Sequence, residues 1–151
     1  SNGMLKIYQK TNTYTIENIK EIICKMDMIS VLYANIPLVD DYIEQIQYLY
    51  DVPYYDIVKI DDETIDYPLL RDKFIREHYH TDYEMRLFTV GTAKFSLKID
   101  ETIYELTVKP GDLISIPANV NHWFDAGENP NFTAVRFFTD KNGWEAHYVE
   151  K

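Results

Sequence analysis

Between residues 86 and 138 the chain is a succession of short β-rich runs broken by turn residues, and few folds accommodate that pattern. The runs are Arg86-Leu87-Phe88-Thr89-Val90, Lys94-Phe95-Ser96-Leu97-Lys98-Ile99, Thr102-Ile103-Tyr104-Glu105-Leu106-Thr107-Val108 and Phe132-Thr133-Ala134-Val135-Arg136-Phe137-Phe138. Their β-branched and aromatic residues suit a pleated, half-buried surface. Gly91, Asp100-Glu101 and Pro110-Gly111-Asp112 are the turn punctuation. Many short antiparallel strands at close spacing predict a barrel or a double-sheet jelly roll. No internal repeat of diagnostic period and no low-complexity segment interrupts this reading.

Before residue 70 the periodicity turns helical. Thr15 can cap a helix whose apolar positions Ile16, Ile19, Ile22, Ile23 and Met26 follow the 3.6-residue period. A second helix is expected from about Asp40, with Ile43, Ile46, Leu49 and Tyr50 on one side and Pro37 and Pro53 bracketing it. The acidic run Asp61-Asp62-Glu63 reads as a solvated loop. The expected organisation is one mainly β domain over 4–151. Its helical part, 4–70, packs on a barrel core over 71–151. Ser1-Asn2-Gly3 ahead of Met4 reads as a tag scar.

Composition is compatible with this plan. A chain of 151 residues with 46% hydrophobic content can bury a core. No apolar run reaches the length of a membrane span and no signal-peptide pattern opens the chain, so a cytoplasmic protein without a membrane partner is expected. The single cysteine, Cys24, excludes an internal disulfide, and its apolar helical context makes a buried, inert thiol the expectation. A net charge of −10 argues against nucleic acid and opposes an anionic substrate at long range.

The chemistry concentrates in His78-Tyr79-His80-Thr81-Asp82-Tyr83-Glu84 and in Pro117-Ala118-Asn119-Val120-Asn121-His122-Trp123. In an extended strand alternate side chains share a face, so His78 and His80 point the same way. Glu84 has the same parity and reaches the same centre if the chain bends near Asp82. His122 must then come from a neighbouring strand. A His-x-His pair alone is more often two polar residues on an exposed strand face. Glu84 and His122 tip the balance, because three of only four histidines fall into place. His147 is the remaining one, and a surface position is expected for it. Three imidazoles and one carboxylate without thiolate suit a divalent redox-active or Lewis-acidic ion rather than a cysteine-type structural zinc. On an octahedral ion they would leave two positions for a chelating substrate.

The spacing His78-x-His80-x-x-x-Glu84, continuing to Gly91, and then Gly111-x5-Pro117-x4-His122, resembles the two-part signature of the cupin superfamily. Within it the chain is similar to the acireductone dioxygenase family. The matching stretches are Lys73-Phe74-Ile75-Arg76-Glu77-His78, Glu84-Met85-Arg86, Gly111-Asp112-Leu113-Ile114-Ser115-Ile116-Pro117-Ala118, His122-Trp123-Phe124-Asp125-Ala126-Gly127 and Gly143-Trp144-Glu145-Ala146. They cover the second half almost continuously. The first half matches loosely, through Ile29-Ser30-Val31-Leu32-Tyr33 and the stretch ending Asp56-Ile57-Val58. Tyr83 stands where the family usually has an acidic residue, and Ala93 replaces one of a glycine pair. Asn119 stands where many cupins have glycine, a mild change because Asn tolerates a left-handed backbone.

The resemblance implies a cupin-type double-stranded β-helix with two or so amino-terminal helices. It implies one Fe(II) or Ni(II) ion on His78, His80, Glu84 and His122. The substrate it implies is 1,2-dihydroxy-3-keto-5-methylthiopentene, an enediol cleaved by O2 in methionine salvage. The iron form is expected to give formate and 4-methylthio-2-oxobutanoate; the nickel form, methylthiopropionate, formate and carbon monoxide. A monomer is expected.

Arg86 lies two residues after Glu84 and so on its face. It is either a surface ion pair or, buried, the catalytic cation for an enediolate. The resemblance brings Phe74 and Phe124 near the substrate, where the plain alternative is a core aromatic. Arg136 faces inward or forms a salt bridge. Trp144 closes the pocket or merely packs. The alternatives to a dioxygenase of this type are another cupin dioxygenase or isomerase, or a cupin that binds metal and ligand without turnover.

Overall fold

The structure is a computed structural model that describes residues 6–8, 23–24, 39–82, 84–99, 101–116 and 118–150. In chain order the elements are β1 (Lys6–Tyr8), β2 (Ile23–Cys24), α1 (Val39–Tyr50), β3 (Tyr54–Ile60), α2 (Tyr67–Ile75), β4 (His78–Tyr79), β5 (Glu84–Gly91), β6 (Ala93–Ile99), β7 (Thr102–Val108), β8 (Leu113–Ile116), β9 (Asn121–Asp125), β10 (Phe132–Phe138) and β11 (His147–Tyr148). They form one sheet of order β2-β1-β8-β5-β10-β3 and a second of order β11-β4-β9-β6-β7. Every pairing is antiparallel except β1 with β2.

The mainly β architecture expected from the sequence is present, and all four β-rich runs are strands. The two sheets close over a shared apolar interior. Ile60, Phe88, Phe95, Leu97, Leu106, Val108, Ile114, Ile116, Phe124, Phe132 and Ala134 meet there from both sheets. Phe124 packs at 4.7 Å from Phe95 and 5.3 Å from Phe132, ring centre to ring centre. The opposite face of the six-stranded sheet, carrying Met85, Leu87, Leu113, Val135 and Phe137, is covered by Ile43, Ile46 and Val52 at and after α1. Fully burying one such side chain stabilises by about 1.5–3 kcal/mol, so both layers are needed to offset ordering the chain.

Two details of β5 set up the site. The register with β10 shifts between Thr133 and Ala134, a bulge that leaves Thr89 without an opposite residue. At the end of β5 only glycine fits. Gly91 has φ of 70°, and a Cβ there would lie 1.6 Å from the Asn131 carbonyl oxygen.

The amino-terminal part departs from expectation. Of the helix expected over Thr15 to Met26, only Ile23 and Cys24 fall among the described residues, and they form a strand paired with β1. Cys24 therefore lies in a strand, because sheet pairing overrides a local helical period. Thr15, the Ile29–Tyr33 stretch, Pro37, Tyr83, Pro117 and residues 1–3 lie outside the described residues. α1 begins close to Asp40 as expected, but Leu49 is 40% exposed while Ile43 and Ile46 are buried. β3 and α2 were not expected. β3 is an edge strand of the six-stranded sheet, paired with β10 along its whole length. α2 carries Pro68 in its first turn and only a weak apolar stripe. Tertiary bonds fasten α2 instead: Tyr67 Oη donates to Gly127 O at 2.6 Å, and Arg71 Nε donates to Asp125 at 3.0 Å. The 61–63 run is a turn with Asp62 and Glu63 exposed, as expected. Among the described residues no helix is long and apolar enough to cross a membrane.

Candidate metal centre

The polar residues gather at one end of the barrel interior. β4 presents His78, and His80 follows it before a bend at Thr81-Asp82. Past that bend the chain enters the other sheet at Glu84, the first residue of β5. β9 brings His122 directly opposite His78. The bend near Asp82 and the neighbouring strand for His122 are both as the spacing requires.

The ligand atoms of His78, His80 and His122 lie within 4.8 Å of one another, and all three residues are buried. Glu84 is 2% exposed. Its Oε1 stands 2.9 Å from His80 Nε2 and 3.2 Å from His122 Nε2. Each imidazole is turned by its other nitrogen. His78 Nδ1 bonds Arg76 O at 2.7 Å, His80 Nδ1 bonds Glu145 O at 2.9 Å, and His122 Nδ1 bonds Val120 O at 2.8 Å. A carbonyl only accepts, so each Nδ1 carries a proton and each Nε2 is the atom left to bind a metal, once any proton on it has gone. Three buried imidazoles, with the Glu84 carboxylate against two of them, form a cluster that could hold a metal ion.

The electrostatics follow from burial and one cation. Burial opposes ionisation of Glu84, but Arg86 and the contacts with His122 and His80 hold its carboxyl well below the usual carboxylate range. Burial and then His122 push His78 down to about 4. Burial also opposes protonation of His80, yet its bond to Glu84 and the charge there raise it above the ordinary imidazole value. Arg86 is largely enclosed, its side chain 14% exposed, and the lost solvation lowers its guanidinium against the pull of Glu84. Arg86 Nε lies 2.8 Å from Glu84 Oε2, but without the alignment of a hydrogen bond, so the two meet as charges and both atoms lack a hydrogen-bond partner among the described residues.

The structure brings the remaining candidates to the same end of the barrel. The Arg86 guanidinium carbon sits 5.5 Å from the Phe124 ring centre and 5.2 Å from that of Trp144. Phe74, on α2, meets Phe124 edge-on at 5.8 Å. Phe124 is thus both a core aromatic and a wall of the site. Trp144 lies 5.8 Å from His80 and 4.6 Å from Phe138. Arg136 has the inward parity of Arg86, its direct cross-strand partner, and also forms the salt bridge, with Nε 2.7 Å from Asp56 Oδ1. His147 is half-buried in β11 and stacks on Tyr79 at 5.2 Å, so it is a strand residue rather than a free surface histidine. The carbonyls of Arg76, Val120 and Glu145 left no mark on the sequence, because any residue supplies a carbonyl. Asn119 has φ of 67°, and its N–H donates to His80 O at 2.8 Å.

Comparison with known proteins agrees with this geometry. Residues 6–146 match the model of the ARD/ARD' family. An acireductone dioxygenase of Aquifex aeolicus is 38% identical over 96% of this chain and 89% of its own length. That of Granulibacter bethesdensis is 47% identical over 62% of this chain, and the match spans about half, 52%, of that relative's length. The solved acireductone dioxygenase of Bacillus anthracis, which has a cadmium ion in its active center, superposes with a TM-score of 0.65 at 25% identity. That superposition covers 93% of this chain and 74% of the other.

Proposed function

The chain belongs to the ARD/ARD' family, and from that membership we propose that it is a metal-dependent dioxygenase cleaving an acireductone with O2. The observation that carries the reading is the set of three histidines whose Nδ1 atoms are all spoken for by carbonyls, leaving three Nε2 atoms and Glu84 facing one point. His78, His80, Glu84 and His122 would hold one Fe(II) or Ni(II) ion. The ion would supply Lewis-acid and template chemistry for an enediolate chelate.

The chain's own residues do the rest. Arg86 offers a fixed cation, held against Glu84, to the negative charge of the enediolate, in surroundings where charge is weakly screened. That local cation offsets the net charge of −10, which repels anions at a distance. Phe124 and Phe74 wall the site and exclude water, and Trp144 covers it beside His80. Arg136 stands at the rim as a second cation, tempered by Asp56. In this reading the substrate is 1,2-dihydroxy-3-keto-5-methylthiopentene and the reaction belongs to methionine salvage in the cytoplasm. With iron bound, the products are formate and 4-methylthio-2-oxobutanoate; with nickel, they are methylthiopropionate, formate and carbon monoxide. In this reading the protein works as a monomer and residues 4–151 act as one domain.

The test is reconstitution with each metal, incubation with the enediol under air, and measurement of oxygen uptake together with product identification. Uptake with the metal-specific products supports the reading. Metal binding with no oxygen uptake would leave a non-catalytic cupin, and uptake with other products another cupin oxygenase.

A further inference from the structure

Three inward-facing residues lie side by side on adjacent strands at the rim of the metal centre. Asp56 of β3 is in register with Arg136 of β10, and Arg136 is in register with Arg86 of β5. Two arginines directly opposite on one face repel each other. The row is stable because each has its own carboxylate, Glu84 for Arg86 and Asp56 for Arg136. The Asp56–Arg136 contact is two-pronged: Nε reaches Oδ1 at 2.7 Å and the second amino group reaches Oδ2. A planar guanidinium held at two points has little freedom to turn.

That fixed guanidinium faces two packed rings, Phe138 at 5.3 Å and Trp144 next to it. The Arg136 guanidinium carbon is 5.6 Å from the Trp144 ring centre, and that of Arg86 is 5.2 Å from it. Both lie within the range at which a cation is attracted by an indole ring. Trp144 Nε1 is buried and has no hydrogen-bond partner among the described residues, so ring contacts rather than a polar bond seat the indole. A cavity of about 130 Å³ lined by Asp56, Arg136, Phe138 and Trp144, among others, adjoins this arrangement. The residue after the indole, Glu145, supplies the carbonyl that orients His80.

We propose that Asp56 is a positioning residue: by clamping Arg136 in place, it keeps Trp144 seated against Arg86 and beside His80 at the mouth of the site. Asp56 touches neither the metal ligands nor the space they enclose. Without its charge Arg136 is no longer tied down, repulsion from Arg86 drives it outward, and the indole loses one of its two cations. The inference deepens the proposed dioxygenase reading, because the mouth it describes is the mouth of that site.

Asp56→Asn keeps the shape of the side chain and removes the charge. It is compared with Asp56→Glu, which keeps the charge, in a Trp123→Phe background so that Trp144 is the remaining tryptophan. The first readout is Trp144 emission and its quenching by acrylamide in the nickel-loaded protein, which does not depend on turnover. Asp56→Asn is expected to shift emission to the red and raise the quenching constant about threefold, with nickel content unchanged and Asp56→Glu restoring both. The second readout is turnover of the enediol, where KM is expected to rise by about the same factor while kcat stays within twofold or so. Unchanged emission and quenching in a folded, nickel-loaded Asp56→Asn protein overturn the proposal, whatever the activity. If that variant does not fold, Arg136→Gln replaces it, and an indole as shielded as in the parent is again a refutation. A shifted indole in a protein inert toward the enediol upholds the clamp and refutes only the dioxygenase reading.

Discussion

The two ends of the barrel interior are built from the same strands and held by different forces. On β5 the inward residues run Glu84, Arg86, Phe88; on β9 they run His122, Phe124; on β10, Arg136, Ala134, Phe132. Two residues along any of these strands separates chemistry from packing. At the apolar end, Phe88, Phe95 and Phe132 are held by buried area, which is non-directional and tolerates small shifts. At the polar end each imidazole is turned by a directional bond to a backbone carbonyl, two residues back for His78 and His122 and from the distant Glu145 for His80. Stability and function should therefore respond to different substitutions only a few ångströms apart.

The sharpest way to break that contrast is a pair of truncations. Phe95 is fully buried, and its ring meets those of Phe88 and Phe124. Phe95→Ala is expected to lower stability by about 3–5 kcal/mol, read by chemical denaturation. His80→Ala is expected to lower it far less but to remove most of the bound nickel, read by elemental analysis after reconstitution. Full metal occupancy in His80→Ala would remove it from the ligand set. A stability loss as large as that of Phe95→Ala would erase the distinction between the two ends.

Arg86 tests the polar end from within. Arg86→Ala should leave the metal bound, because a guanidinium is no ligand, and should weaken turnover by about 2–4 kcal/mol, the scale of one preorganised donor. Kinetics at matched metal content decide it. Parent rates would reduce Arg86 to a structural partner of Glu84.

The contrast also explains what the sequence disclosed. His78, His80 and Arg86 were legible because strand parity fixes which side chains share a face, and parity is a local property, whereas His122 needed the supposition of a neighbouring strand. Glu84 needed the extra supposition of a bend, and the bend at Thr81-Asp82 is there. β3 was not legible. Tyr54-Tyr55-Asp56-Ile57-Val58-Lys59-Ile60 sits at a sheet edge with Tyr55 and Ile57 exposed, so polar and apolar residues do not alternate cleanly with the interior. α2 was hidden because its anchors, Tyr67 to Gly127 and Arg71 to Asp125, span more than fifty residues of chain. The carbonyl partners of the histidines could not be read at all, since they belong to the backbone. The Asp56 clamp on Arg136 was out of reach for the same reason as β3.

Proton competition sharpens the contrast further, because only the polar end titrates. In the metal-free protein His78 has its pKa lowered from 6.5 to about 4, so the unfolded chain binds its proton first. Its contribution to stability is complete above about pH 6.5 and is lost as pH falls toward about 4. His80 has the opposite sign. Its raised value makes its contribution complete below about 6.5 and lost as pH rises through the folded value. Metal-free His80→Ala should therefore lose stability in acid more steeply than the parent, while His78→Ala should be flatter. Phe95→Ala should keep the parent slope from its lower starting point. Nickel affinity should also fall as pH drops through the raised folded value of His80, because the proton on its Nε2 must leave before the metal can bind. Affinity that is flat through that value, or identical acid slopes in the two histidine variants, would contradict these assignments.

The smallest expected effect lies at Asn119, where backbone shape and site geometry meet. Its φ of 67° is left-handed, and its N–H holds the carbonyl of His80 at 2.8 Å. An ordinary side chain in that conformation costs about 1–2 kcal/mol, Asn less, and glycine nothing from its side chain. Asn119→Ala should therefore lower stability by about 1 kcal/mol, and Asn119→Gly should change it by a few tenths at most. Both variants keep the N–H, so both should keep the position of His80 and the nickel affinity of the parent. The measurement is denaturation of each variant alongside a nickel titration. If Asn119→Gly bound nickel tenfold more weakly at unchanged stability, the Asn119 side chain would be part of the polar end. The line between the two kinds of residue would then have to be drawn beyond the turn that carries it.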